Sequence, residues 1–154
     1  MIEQATKLEQ KINIRFKDQL LLKKSLIHKS HDSINNNEKL EFLGDRVLGL
    51  VLAKALLKIF PEEKEGVIDK KFANLVNKKT CLLIAKKIEL RKYITTGNSY
   101  KGLSRSDDKI IGDGLEALLG AIYLDQGIIV VEKFILNIWN DFLDKSSVTK
   151  IDAK

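Results

Sequence analysis

The sequence predicts an all-α fold, a single helical bundle, on three observations. Only one proline, Pro61, occurs in 154 residues. Long segments repeat apolar residues at helical rather than alternating spacing. No stretch reads as a strand, because the β-branched run Ile128 to Val131 flows straight into a helical pattern. The length suits one domain, and 44% hydrophobic with 31% charged residues supplies a core and excludes disorder throughout.

The elements follow in chain order. Met1 to Lys11 mixes charged with apolar residues, lacks the apolar stretch of a signal peptide and is assigned no element. Asp18 can cap a helix from Gln19 to about Lys29, with Leu20, Leu21, Leu22 and Ile27 inward. Asn36 or Asn37 can cap the next, from Glu38 to about Phe60, where Pro61 stops it. Gly66 marks the following loop. A third long helix is predicted over roughly Asp69 to Lys87, burying Phe72, Leu75, Val76, Leu82, Leu83 and Ile84. Thr96 to Asp107 carries glycine, serine and asparagine and reads as a loop. Helices over about Asp108 to Leu124 and Val130 to Asp144 complete the bundle, with Gly127 suited to a C-terminal cap.

Composition narrows the function. Lysine plus arginine (27) exceed aspartate plus glutamate (21), a net charge of +6 that favours polyanionic partners such as nucleic acid. One cysteine excludes an internal disulfide framework and a cysteine-rich zinc site. The longest apolar run, Val47 to Ala53, falls far short of the roughly 20 residues of a membrane span. A soluble, cytoplasmic setting is the expectation.

Two acidic patterns carry the chemistry. In Asn37-Glu38-Lys39-Leu40-Glu41-Phe42-Leu43-Gly44-Asp45, the spacings of three and four place Glu38, Glu41 and Asp45 within a sector about 60° wide. The rest of that helix is apolar almost all round. Like charges at such spacings cost a few tenths of a kcal/mol per pair, and more when desolvated. In Ile110-Ile111-Gly112-Asp113-Gly114-Leu115-Glu116, a second pair, Asp113 and Glu116, shares a face. If the two helices pack side by side, four carboxylates converge. Hard oxygen ligands select Mg²⁺, with Mn²⁺ as a substitute, over zinc, and such a centre suits phosphodiester hydrolysis. Pattern alone leaves ordinary solvated helix faces equally open.

Asn37 to Leu48 (NEKLEFLGDRVL) resembles the signature of the ribonuclease III family of double-stranded-RNA endonucleases. LIHKS at Leu26 to Ser30, Glu65-Gly66, and GDGLEALLGAIYLDQG at Gly112 to Gly127 match the family in order. The resemblance covers about Glu9 to Leu143. It implies an all-α endonuclease domain, functioning as a homodimer whose shared cleft holds an RNA duplex. It also implies Mg²⁺-assisted hydrolysis to 5′-phosphate and 3′-hydroxyl ends with a short 3′ overhang, in rRNA and mRNA precursor processing. Carried over by position, Glu41, Asp45, Asp113 and Glu116 are the metal-binding quartet, with Asp45 and Glu116 as the catalytic pair. Glu38 and Glu65 line the cleft, and Phe42 inserts into the partner subunit. No small-molecule cofactor and no membrane are implied.

The chain departs from the family at Val67 to Phe72, where a polar, Arg-containing stretch is usual and Phe72 replaces an expected basic residue. Gly112 and Gly114 flank Asp113 where alanine is more usual. The expected boundaries are an endonuclease domain over 1–146 and the start of a linker over 147–154, the double-stranded-RNA-binding domain of larger members being absent. Lys29, Lys101, Arg105 and Lys109 are candidate phosphate contacts. The pairs Lys70-Lys71, Lys78-Lys79 and Lys86-Lys87 read mostly as a solvated face. His28 and His31 suit helix-end packing or a phosphate contact. Cys81 reads as a buried thiol and Trp139 as core or dimer packing. The rival to an endoribonuclease is a catalytically silent relative that binds RNA or a ribosome.

Overall fold

The computed structural model describes residues 2–97 and 107–148. Among them every regular element is helical: α1 (Ile2–Ile12), α2 (Gln19–Ser25), α3 (Glu38–Ile59), α4 (Glu65–Val76), α5 (Lys78–Lys87), a 3₁₀ turn (Leu90–Tyr93), α6 (Asp108–Gln126), α7 (Ile128–Ile138) and α8 (Asn140–Val148). The all-α reading holds.

α6 is the central element and packs against α2, α3, α5 and α7. Ile111, Leu115, Ala117, Leu118, Leu119, Ala121 and Ile122 are all buried on it. Its partner α3 buries Leu40, Val47, Leu48, Val51, Leu52, Ala55 and Leu56. The two cross with their backbones in contact. A Cβ on Gly44 would stand 1.6 Å from the Glu116 carbonyl oxygen, and one on Gly120 would stand 2.3 Å from that of Leu40. Only glycine at both positions allows this approach.

Several expected boundaries are corrected. α2 stops at Ser25, short of Lys29. The buried Ser25 hydroxyl donates to the Leu22 carbonyl (2.7 Å), and the Asn37 amide donates to the Ser25 carbonyl (3.1 Å). Asp18 caps it as expected, accepting from the Leu20 and Leu21 N–H groups, but Leu20 is 76% exposed rather than inward. Asn37 precedes α3 without a side-chain cap bond; the Asn36 side chain instead accepts from Glu38 N–H.

The predicted third helix is two. Asn77 adopts an extended conformation (φ −69°, ψ 165°) and its side chain accepts from Thr80 N–H, capping α5. Apolar periodicity continues across this break, which is why it does not show in the pattern. Leu83 is exposed rather than inward. The last predicted helix also divides, at Trp139. Its indole is fully buried and donates to the Leu75 carbonyl at 2.8 Å, tying the α7–α8 junction to α4. α7 starts at Ile128, directly after Gly127 (φ +90°), whose N–H closes α6 on the Tyr123 carbonyl.

α1 lies where the sequence pattern marks no element. It buries Leu8 and Ile12 and ends at Asn13, which takes the left-handed conformation (φ 58°) that asparagine tolerates. An isolated parallel bridge, Ile27 to Thr95, joins the exit of α2 to the chain after the 3₁₀ turn. Of the two departures near Asp113, a Cβ on Gly114 would meet the Ile94 side chain at 2.8 Å, whereas one on Gly112 would meet nothing within 4 Å. Phe72 is half-buried, its ring beside Gly49. Lys71 is buried, its amine donating to the Ser146 carbonyl and lying 4.3 Å from the Phe60 ring centroid.

These glycine environments separate in a mutational test. Gly44→Ala should destabilise the domain by at least about 2 kcal/mol, because backbone has to move. Gly112→Ala, mid-helix and facing open space, should stabilise it by about 0.5–1 kcal/mol. Urea unfolding midpoints at constant slope would check both.

Candidate metal centre

The α3–α6 crossing sets the acidic side chains around its edge. Glu41 is three residues before Gly44 and Asp45 one after; Glu116 is four before Gly120 and Asp113 a further three. One carboxylate oxygen each from Glu41, Asp113 and Glu116 lies within 4.8 Å of the others. Asp45 stands beside Glu116, outside that convergent triple. All four line an open cavity of about 910 Å³, walled on the far side by Asn77, Lys78, Lys79, Cys81 and Leu82 from α5 and its cap.

Electrostatics at this point are strained in the direction of protonation. Glu116 is pushed up to about 8, first by burial, then by a hydrogen bond and charge repulsion from Asp45, then by the charges of Glu41 and Asp113. Glu41 is also raised, by burial and then by Asp113. The donor set therefore fits a divalent cation: hard oxygen atoms, clustered, part-buried and in excess of the positive charge beside them.

Cations ring the cluster. Lys109 Nζ lies 2.6 Å from Asp113 Oδ2, and Arg46 lies 3.4 Å from Asp45 Oδ2. Lys29 lies 3.6 Å from Glu38 Oε2. Glu38 is exposed and lines both this cavity and an adjoining one of about 320 Å³, which His28, Lys29 and Lys109 also line.

The remaining expected residues divide. Glu65 opens α4, exposed, and is not among the residues lining either cavity. Phe42 is 62% exposed, so it is not packed in its own core; the Arg46 guanidinium stacks 3.8 Å from its ring centroid. Lys101 and Arg105 lie outside the described residues. His28 Nδ1 is engaged by the Ser30 hydroxyl and N–H (2.7 and 3.1 Å), and burial lowers its pKa. Cys81 is the buried thiol expected, pushed up to about 12 by burial and by the acidic cluster above it.

Pattern missed several residues of the cavity, Arg46 and Asp108 as well as Asn77, Lys78 and Lys79. Asn77 became visible only with the break it creates. Lys78 and Lys79, assigned to a solvated face, line the cavity wall because that break turns α5. No signal in spacing alone separates this pair from Lys70-Lys71 or Lys86-Lys87.

Comparison with known proteins bears on the whole arrangement. The family model described as Ribonuclease-III-like matches residues 18–142. Ribonuclease 3 of Pelagibacter ubique (strain HTCC1062) is 62% identical over 148 residues, covering 96% of this chain and 67% of that protein. Ribonuclease 3 of Caulobacter vibrioides (strain NA1000 / CB15N) is 40% identical over 144 residues, covering 90% and 62%. This chain thus spans about two thirds of the length of the curated relatives it matches. Among solved structures, the nuclease domain of ribonuclease III from Campylobacter jejuni, described for flexibility in a region involved in dimer formation, superposes with a TM-score of 0.83. It is 36% identical, covering 90% of this chain and 97% of that one. Dicer from Pichia stipitis superposes with a TM-score of 0.72 at 25% identity, covering 91% and 63%. With its acidic helices, its fold and these relatives in agreement, the chain belongs to the ribonuclease III family.

Proposed function

We propose that residues 1–146 form an endoribonuclease domain that cleaves double-stranded RNA with Mg²⁺, leaving 5′-phosphate and 3′-hydroxyl ends. The observation that carries this reading is the convergence of Glu41, Asp113 and Glu116 within 4.8 Å on two helices locked together by glycine. In this reading those three and Asp45 hold the cation, and Mn²⁺ substitutes for Mg²⁺. Bound there, a divalent cation supplies Lewis-acid stabilisation of phosphoryl oxygen and lowers the pKa of water.

The chain's own residues supply the frame. α3 and α6 fix the carboxylates so that little reorganisation accompanies substrate binding. Asp45 and Glu116 are the catalytic pair, Glu116 being the more buried. Glu38 lines the cleft beside them, and Glu65 is assigned to the cleft of an assembled dimer. Lys29 and Lys109, with Lys101 and Arg105, meet RNA phosphates; Lys78 and Lys79 add positive charge to the wall. The setting is cytoplasmic and the substrates are structured rRNA and mRNA precursors. Among the described residues no helix is long and apolar enough to cross a membrane.

Homodimerisation through α3 completes the proposal. Phe42, Leu50 and Leu57 are exposed on one flank of that helix, an arrangement that favours burial against a second copy. Phe42→Ala should shift sedimentation toward monomer at low micromolar concentration while leaving the helical melting transition largely in place. An intact dimer in that variant would remove Phe42 from the interface.

The direct test is cleavage of a labelled RNA duplex at low salt with Mg²⁺, beside Ca²⁺ and duplex-DNA controls. Glu116→Gln should lose more than the roughly 10–100-fold typical of groups one step removed from a metal. A folded chain that binds duplex RNA but does not cut it would support the catalytically silent relative instead.

The raised Glu116 pKa gives a second check. Between its ordinary value of 4.5 and about 8, the unfolded chain has released a proton that the folded chain keeps. Stability in EDTA therefore falls as pH rises through that window. Glu116→Gln, which mimics the protonated acid, should melt a few degrees higher than the parent at pH 8 and equally at pH 4. Mg²⁺ should close the gap at pH 8 by stabilising the parent alone.

A further inference from the structure

Lys109 stands where helix electrostatics disfavour a cation. It is the second residue of α6, in the first turn, where unsatisfied N–H groups carry partial positive charge. Lysine ahead of an acid at i+4 is also the weaker order for a helical ion pair. Yet its Nζ lies 2.6 Å from Asp113 Oδ2, a short charge-assisted contact. The Lys109 side chain is 68% exposed and the Asp113 side chain 23%, so the lysine is not held there by packing of its stem. What compensates is the acidic cluster: Asp113 most strongly, then Glu41 and Glu116, all favour the charged ammonium.

We propose that Lys109 is a tethered counter-cation of the acidic centre, occupying Asp113 until a divalent cation displaces it. This rests on the reading of Glu41, Asp113 and Glu116 as metal ligands. An Asp113 oxygen that accepts from the ammonium is a weaker donor to a metal, and two cations a few ångströms apart repel. The ammonium is covalently attached, so it competes at a high effective concentration whatever the metal concentration. Lys109 thereby does two opposite things. It neutralises part of the repulsion that holds the metal-free cluster under strain, and it raises the divalent concentration at which the centre fills. The exposed stem lets the ammonium leave without disturbing the core.

This makes Lys109 a positioning residue, acting through Asp113, and it sets a coupling that a plain surface ion pair would lack. Mn²⁺ binding to the metal-stripped chain, read by electron paramagnetic resonance and calorimetry, measures it. The parent is compared with Lys109→Met, Lys109→Arg and Glu116→Gln, and each is melted in EDTA and in saturating Mn²⁺. Lys109→Met should bind Mn²⁺ about fivefold more tightly or better, within the usual range of coupling between sites. It should melt lower than the parent in EDTA and recover that deficit in Mn²⁺. Lys109→Arg, which keeps the charge, should bind Mn²⁺ as weakly as the parent.

The inference is overturned if Lys109→Met binds Mn²⁺ no tighter than the parent, or if its melting deficit is the same with and without the ion. It is equally overturned if Lys109→Arg behaves as Lys109→Met. Binding by the parent that Glu116→Gln removes, with Lys109→Met unchanged, sinks the Lys109 role and leaves the metal centre standing. No Mn²⁺ binding by either parent or Lys109→Met sinks both.

Discussion

Backbone contact between α3 and α6 at Gly44 and Gly120 constrains everything around it. A side chain at either position would drive a Cβ to 1.6 or 2.3 Å from a facing carbonyl oxygen, separating the helices. The acids are indexed to these glycines by helical geometry: Glu41 lies one turn before Gly44, and Glu116 and Asp113 lie one and two turns before Gly120. Moving the helices apart therefore moves Glu41 away from Asp113 and Glu116. The glycines thus set the spacing of the carboxylates as well as the packing of the helices.

That contact has to hold together groups that repel. Glu116 and Glu41 are both driven toward protonation by burial and by their acidic neighbours. The pairs to Arg46 and Lys29 are largely exposed, and exposed pairs contribute little to stability. The restraint comes from below: α6 carries an almost continuous buried apolar surface from Ile111 to Ile122, and apolar burial is the dominant favourable contribution to folding. A core helix with one charged edge can carry clustered carboxylates that a surface helix would splay into solvent.

Much of this was legible from spacing. Three- and four-residue intervals put Glu38, Glu41 and Asp45 on one side of α3, and Asp113 and Glu116 on one side of α6, without reference to any fold. Their convergence was only conditional, because nothing in either helix alone states which partner it meets. The resemblance to the ribonuclease III family supplied the pairing. The two divided helices were illegible for a different reason. Asn77 and Trp139 interrupt the backbone while the apolar period runs on, so hydrogen bonds, a local cap at Asn77 and a tertiary contact at Trp139, divide what the apolar pattern leaves continuous. Asn77 caps α5 through Thr80, and Trp139 reaches the Leu75 carbonyl. α1 escaped notice because Leu8 and Ile12 are its only buried apolar residues among those whose side chains are described, a short signal among charges.

α3 carries both the candidate site and the apolar flank proposed for association. Around its axis, Gly44 faces α6, Glu41 and Asp45 face the cavity, and Leu50 and Leu57 face solvent together with Phe42, which also edges the cavity. At about 100° per residue the three exposed apolar side chains fall within a sector roughly 80° wide, and Phe42 is about 60° from Asp45. Arg46 bridges these two faces, with its guanidinium on the Phe42 ring and against the Asp45 carboxylate. Whatever covers Phe42 also restricts Arg46, and through it the charge beside Asp45. Because Gly44 locks the helix to α6, a contact on the outward flank has no soft joint in which to be absorbed. Association on that flank and the electrostatics of the acidic centre are thus mechanically connected through a single turn, Glu41 to Arg46.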